Sequence, residues 1–318
     1  MRKILSIDAG GVRGIIPATI LAEVEARTEQ PVCNLFDFFA GTSSGGMLVL
    51  ALNCPDAFGY PRPLCSAAEV AGLFHEWGDR PFRSKVSNAG QPIGEMSSEN
   101  GVEEMFREYF GNALLSDSIK PTMVTAVDLT TGQPFFLNSA KAVRNVGNDV
   151  FMWQAARATT AVPTHFSPLR LSVSDAPFRD RETCLADGSL FASNPAMCAL
   201  AEARSLFPGE EDFLVLSLGC GAVARTPVAS HQKRRWIFDF SLAAQSACVD
   251  YQMRAFLPRQ RYIRIQADLM QGFERIDDAS EQNLRALQRE ARETIARNAD
   301  ALVQLLDLLA PSLELTIA

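Results

Sequence analysis

Two glycine-rich turns and one aspartate hold the residues whose types and spacing fit catalysis. Gly41-Thr42-Ser43-Ser44-Gly45-Gly46 has the Gly-x-Ser-x-Gly spacing of a nucleophile elbow. That turn needs glycines beside the serine, because side chains there would strike neighbouring backbone. It also sets the hydroxyl at a helix N-terminus, where the dipole favours developing negative charge. The other reading of these residues is a phosphate-binding or helix-capping turn. The second turn, Asp8-Ala9-Gly10-Gly11-Val12-Arg13-Gly14, has Ala9 where a dinucleotide fingerprint starts with glycine. No acidic strand end follows at the expected spacing, and no Gly-Lys-Ser/Thr marks a P-loop. Amides of Gly10 and Gly11 at a helix N-terminus can instead stabilise an oxyanion, although a simple tight turn is the plainer reading. Leu185-Ala186-Asp187-Gly188-Ser189, with Asn194-Pro195 beyond it, puts Asp187 at the carboxyl end of a predicted strand. A lone Asp-Gly reads more simply as a turn.

Positioning these turns is the work of alternating strands and helices. Strands are predicted over 3–8, 36–40, 122–127, 134–137, 183–186, 213–218 and 262–266. Helices are predicted over 14–28, 44–53, 101–110, 150–158, 195–207 and 236–256, with a long amphipathic stretch over about 281–309. Such alternation predicts an α/β fold with a mainly parallel central sheet flanked by helices, and a single domain over 1–318. Residues 54–63 and 83–99 are the candidate loops or lid.

Composition narrows the function classes. The 318 residues carry 30 Lys+Arg against 37 Asp+Glu, a net charge of −7, which argues against a binder of nucleic-acid polymers. Seven cysteines without a Cys-x-x-Cys pair fit neither a disulfide framework nor a zinc site, and suit a reducing compartment. The apolar stretch after Arg2 and Lys3 stops at Asp8, too short for a secretory signal. The longest apolar runs, such as 47–52, fall far short of a membrane span. The expectation is a cytoplasmic protein whose membrane contact is peripheral.

Together the motifs resemble the patatin-like phospholipases. The N-terminal glycine turn, Gly-Thr-Ser-x-Gly-Gly about thirty residues later, and Asp187-Gly188 with Asn194-Pro195 carry the resemblance. Residues 158–164, Ala-Thr-Thr-Ala-Val-Pro-Thr, are similar to the family's Ala-Thr-Ser-Ala-Ala-Pro-Thr stretch. Val215 to Gly219 is similar to its Ser-Leu-Gly strand end, and 262–266 with 277–280 to the C-terminal segment of plant patatins. The resemblance spans about residues 3 to 290. It implies a three-layer α/β fold and hydrolysis of lipid acyl esters by a Ser–Asp dyad, without metal or cofactor. Ser43 would then be the nucleophile, Asp187 the general base, and Gly10 and Gly11 the oxyanion hole. Arg13 would stand where the family keeps a basic residue. Ala9 and Ser189 depart from the family pattern.

Other readings of the same residues stay open. Ser43, Asp187 and His231 follow the chain order of an α/β-hydrolase triad, but only one clear strand–helix unit precedes Ser43. The basic cluster at 231–236 reads as a lipid-headgroup site or, more simply, a solvated loop. His75 and His165 read as structural, as do Trp77, Trp153, Trp236, Phe36, Phe38, Phe39, Met152, Met197 and Met253. Cys220 between two glycines reads as a small buried residue rather than a reactive thiol. A nucleotide-binding sensor using 10–14 and 219–221 as phosphate cradles, a nucleotide-activated defence effector, and an acyltransferase are the alternative functions.

Overall fold

The computed structural model describes residues 1–310 apart from 57–59, 61, 78–98, 146, 148, 164, 176–178, 224–232 and 271–274. Strict alternation along the central strands explains how one sheet separates two cores. In β1 (Arg2–Ile7), Leu5 and Ile7 enter one core while Ile4 enters the other. In β2 (Phe38–Thr42), Phe39 faces the first core and Phe38 and Ala40 the second.

The remaining strands are β3 (Thr122–Asp128), β4 (Gln133–Asn138), β5 (Leu169–Asp175), β6 (Arg179–Asp187), β7 (Phe213–Leu218), β8 (Ala222–Val223), β9 (Tyr262–Ile265) and β10 (Asp268–Leu269). Eight of them form one sheet, in the order β5-β6-β3-β2-β1-β7-β9 with β4 also on β3; β8 and β10 pair separately. The sheet is parallel from β3 through β2, β1 and β7 to β9. Strands β4, β5 and β6 are antiparallel additions.

Helices cover both faces, as the alternation predicts. The helices are α1 (Ile15–Thr28), α2 (Val32–Leu35), α3 (Ser44–Asn53), α4 (Ala67–Trp77), α5 (Glu99–Phe110), α6 (Ser139–Arg144), α7 (Met152–Thr159), α8 (Ser189–Ala192), α9 (Ala196–Leu206), α10 (Lys233–Phe256), α11 (Glu281–Arg297) and α12 (Ala299–Leu309). Helices α1, α3, α4, α5, α7, α11 and α12 contribute to the larger core, α9 and α10 to the smaller. All ten residues of α3 are buried, so this helix sits inside the protein with the elbow at its head. Burying each of its leucines contributes roughly 1.5–3 kcal/mol.

Three expectations need correction. The 281–309 stretch is two helices, because the backbone leaves the helical region at Asn298 (φ −108°, ψ 25°), whose side-chain nitrogen caps the Thr294 carbonyl at the end of α11. The strand expected at 36–40 occupies Phe38–Thr42, two residues further on. The strand expected at 183–186 is the end of a longer β5–β6 hairpin. Most of the candidate lid at 83–99, and His231 of the candidate triad, lie outside the described residues.

Candidate active site

The elbow reads directly from packing. Strand β2 ends at Thr42, and Ser43 takes φ 57° and ψ −126° before α3 begins. Among the described residues only Glu29 and Ser43 hold a positive φ without being glycine. Such a backbone costs of order 1–3 kcal/mol and persists only where its surroundings force it. Here α3 is pressed against β1: a Cβ on Gly45 would lie 2.4 Å from the Ile7 carbonyl oxygen and 2.6 Å from that of Asp8. The glycine expected beside the serine is required by this approach.

The same contact brings the first turn alongside. The Asp8 amide donates to the Leu218 carbonyl at 2.9 Å and the Ala9 amide to that of Ser193 at 2.9 Å. Ala9 is not among the residues with positive φ, so an alanine fits the place of the family's glycine. Neither the Gly10 nor the Gly11 amide donates to a protein acceptor among the described residues. The Gly10 carbonyl accepts from the Arg13 amide at 3.1 Å and from Arg13 Nε at 3.4 Å. Because a peptide unit is planar and trans, holding that carbonyl fixes where the Gly11 N–H points. Arg13 therefore braces this turn.

Beneath the turn, Arg264 of β9 grips the Asp8 carboxylate with both terminal nitrogens, at 2.8 and 2.5 Å, and also donates to Ser217 and Ser246. Both members of this pair are buried. Gly11, with φ +57°, leaves space that a Cβ would lose to the Ile276 carbonyl.

Gly10 is packed against Cys220, whose thiol donates to the Asp8 carbonyl at 3.2 Å. Burial pushes the Cys220 thiol up to about 12, which suits a packing residue and not a nucleophile. A Cβ on Gly10 would meet Cys220 Cβ at 2.1 Å. Gly10→Ala is therefore expected to displace the turn and lower ester turnover ~10²-fold, the usual loss for one oxyanion donor. Adding Cys220→Gly is expected to recover most of it. Equal rates for the single and double variants would show that the clash is not the cause.

Asp187 reaches the elbow by an unexpected route. Strand β6 is antiparallel and only its last residues, 185–187, pair with the carboxyl end of β3, so Asp187 comes to the rim where the parallel strands end from outside the parallel set. Asp187 pairs with Ala126 of β3, and the preceding residue, Thr125, pairs with Thr42 of β2. Ser43, Ala126 and Asp187 thus form a row across three strands spaced by about 4.8 Å. The Asp187 side chain is fully buried. Its Oδ1 accepts the Ser189 amide at 2.7 Å, a role any residue but proline can fill, while Oδ2 has no hydrogen-bond partner. Burial pushes the Asp187 carboxyl up to about 6, against the opposing pull of the Ser189 amide and of the Ser43 hydroxyl, which lies near the carboxyl without closing a hydrogen bond to it.

In front of Ser43 lies a cavity of about 100 Å³. Its walls are Gly11, Met47, Phe74 and Trp77 of α4, Val102, Met105 and Phe106 of α5, and Val162, Phe166 and Ile276. Trp77 and His165 read as structural in the sequence, yet both line this cavity. His165 Nε2 stands 3.6 Å from an Asp277 carboxylate oxygen, and His75 Nδ1 stands 2.9 Å from Glu281. The turn at 219–221 has its outer amides occupied: Gly219 donates to Ile265 O at 2.9 Å and Gly221 to Gln266 Oε1 at 2.7 Å. These two amides are thus not free to cradle a phosphate, as the alternative nucleotide-sensor reading would have them do.

The family model described as patatin-like phospholipase matches residues 5–200, a span containing both glycine turns and Asp187. Patatin-like protein 2 of Oryza sativa subsp. indica is 27% identical over 330 residues, covering 89% of this chain and 81% of its own length. Patatin-T5 of Solanum tuberosum is 26% identical over 321 residues, covering 90% and 82%. Among solved structures, VipD from Legionella pneumophila aligns with a TM-score of 0.42 at 12% identity, over 96% of this chain and 67% of that one.

Proposed function

The chain belongs to the patatin-like phospholipase family, and on that premise we propose that it is a serine lipid acyl hydrolase working through a Ser43–Asp187 dyad. The observation that carries this reading is the Asp187 carboxylate. It is buried, tethered through one oxygen, and unpartnered at the other, in the same strand row as a serine held at a strained elbow.

The chemistry follows from those positions. Asp187 Oδ2 accepts the Ser43 hydroxyl proton as Oγ attacks the ester carbonyl carbon. Negative charge moves to the carbonyl oxygen, where the Gly10 and Gly11 amides receive it. Collapse of the tetrahedral intermediate expels the lipid alcohol, which takes the proton from Asp187 and leaves an acyl-Ser43. Water then attacks the acyl carbon, gives its proton to Asp187, and the second collapse releases the fatty acid and reprotonates Ser43. The aromatic and aliphatic walls of the cavity suit an acyl chain. A carboxyl with a pKa of about 6 is ionised at neutral pH yet more basic than an exposed aspartate.

The proposed substrates are phospho- or galactolipids met at a membrane surface. No helix among the described residues is long and apolar enough to cross a membrane, so contact would be peripheral. The seven free cysteines support a cytoplasmic setting.

Phosphatidylcholine vesicles incubated with the purified protein, with and without EDTA, test the proposal. Fatty-acid release is expected to be unaffected by EDTA, since two amides and a carboxylate supply the charge stabilisation and the base. A fluorophosphonate is expected to block release and to be recovered on the Ser43 peptide. Release that continues in a fully labelled protein, or a label found on another serine, would overturn it.

A further inference from the structure

Three threonines with no exposed surface stand between the serine turn and the aspartate turn: Thr42, Thr125 and Thr159. The Ser43 amide donates to Thr159 Oγ1 at 3.0 Å, and that hydroxyl donates to the Thr125 carbonyl at 2.7 Å. The Thr42 hydroxyl donates to the Ala192 carbonyl at 2.7 Å. Its oxygen is therefore the acceptor for the Thr125 hydroxyl, 2.7 Å away. Two short relays thus cross the site, and each hydroxyl proton has one acceptor.

The relays join the parts that a dyad must hold in register. Thr125 lies beside Ala126, the β3 partner of Asp187, and a Cβ on Gly188 would fall 2.1 Å from Thr125 Oγ1. Ala192 closes the short helix that follows the aspartate turn. Thr159 is the last residue of α7, and its methyl fills the space beside Gly46, where a Cβ would lie 2.7 Å away. Its hydroxyl holds the Thr42–Ser43 peptide by the N–H of Ser43, the nitrogen on which the strained φ of that residue turns. Rotating that peptide would swing Oγ away from Asp187.

We propose that Thr159 is a positioning residue for the nucleophile, its hydroxyl locking the Ser43 amide to β3 and so setting the Ser43–Asp187 approach. The inference rests on the dyad reading above. It assigns a task to the 158–164 stretch that neither nucleophile, base nor oxyanion turn accounts for. Misplacing a reacting atom by about 1 Å can cost 10²-fold in rate, so the expected effect is on turnover and not on substrate capture.

The test compares Thr159→Val, which keeps the shape and removes the hydroxyl, with Thr159→Ser, which keeps the hydroxyl and removes the methyl. Hydrolysis of p-nitrophenyl butyrate and the rate of fluorophosphonate labelling at Ser43 are the readouts. Thr159→Val is expected to lower kcat and the labelling rate ~10–100-fold with KM unchanged, while Thr159→Ser stays within about threefold of the parent. A valine variant that labels at the parental rate overturns the proposal. So does equal loss in both variants, which would make Thr159 a packing residue. If the valine variant does not fold, Thr159→Ala takes its place against Thr159→Ser under the same criteria. A parent protein that takes no label on Ser43 would overturn the dyad reading itself, a result distinct from any of these.

Discussion

Ser43→Ala is expected to lower fatty-acid release by ~10⁴–10⁶-fold while the protein keeps its fold. In the proposed mechanism the hydroxyl makes the bond to the acyl carbon, and neither the amides nor the cavity can replace that bond. The alanine retains the Cβ and therefore the strained φ of 57°, so its melting temperature should stay near the parent's. Ser43→Gly is equally inactive on this account, but glycine accepts a positive φ without penalty. It should melt higher than Ser43→Ala by the equivalent of about 1 kcal/mol. Calorimetry on the three proteins, beside vesicle hydrolysis, checks both halves. Residual release above a thousandth of the parental rate would remove Ser43 as nucleophile.

Asp187→Asn is expected to lose turnover nearly as completely and at the same time to stabilise the protein. The amide can still accept the Ser189 N–H through its oxygen, so the turn is kept, but it cannot take the serine proton. The stability effect follows from the raised pKa, about 6 against an ordinary 3.8. The folded state holds this proton more tightly than the unfolded chain does. The group's contribution to folding is fully present below about pH 3.8 and is lost as pH rises through about 6. Above that range the buried charge costs on the order of a few kcal/mol, and asparagine removes the cost. At pH 8 the variant should melt ~2–5 °C above the parent, and at pH 3.5 the two should converge. Parental activity should rise with pH through about 6, as Asp187 becomes the ionised base. His75→Gln and His165→Gln are the controls; if either folds and is as inactive as Asp187→Asn, that histidine belongs to the catalytic machinery.

What could be read from the chain follows from what each feature demands of its residues. Gly41 and Gly45 were legible because backbone oxygens lie 2.3–2.4 Å from where their side chains would begin, and no other residue fits. The parallel core was legible because β1, β2 and β7 are apolar on both faces and separated by helices. Asp187 alone, as an Asp-Gly pair, was not, and family resemblance had to single it out. Its antiparallel approach depends on pairing with Ala126, a partner sixty residues away that no local pattern names. The cavity was hidden for another reason. Phe74, Trp77 and Phe106 sit at helical spacing on α4 and α5, and an apolar helix face reads the same whether it meets packed atoms or a cavity. The break at Asn298 carries neither proline nor glycine, so the periodicity of 281–309 ran through it.

The clasp between Arg264 and Asp8 has a consequence for protein synthesis. Both halves of the early site, the Gly10 turn and Ser43, leave the ribosome within the first fifty residues. The guanidinium that neutralises the carboxylate under the turn comes more than two hundred residues later. At 5–20 residues per second that is a delay of roughly 10–40 s. Until then Asp8 is a carboxylate without its cation, and burying it in that state is strongly unfavourable. The Gly10 turn is therefore expected to stay unformed through most of the chain's own translation. On the proposed function, competence would therefore wait for β9, the last strand of the main sheet, to dock.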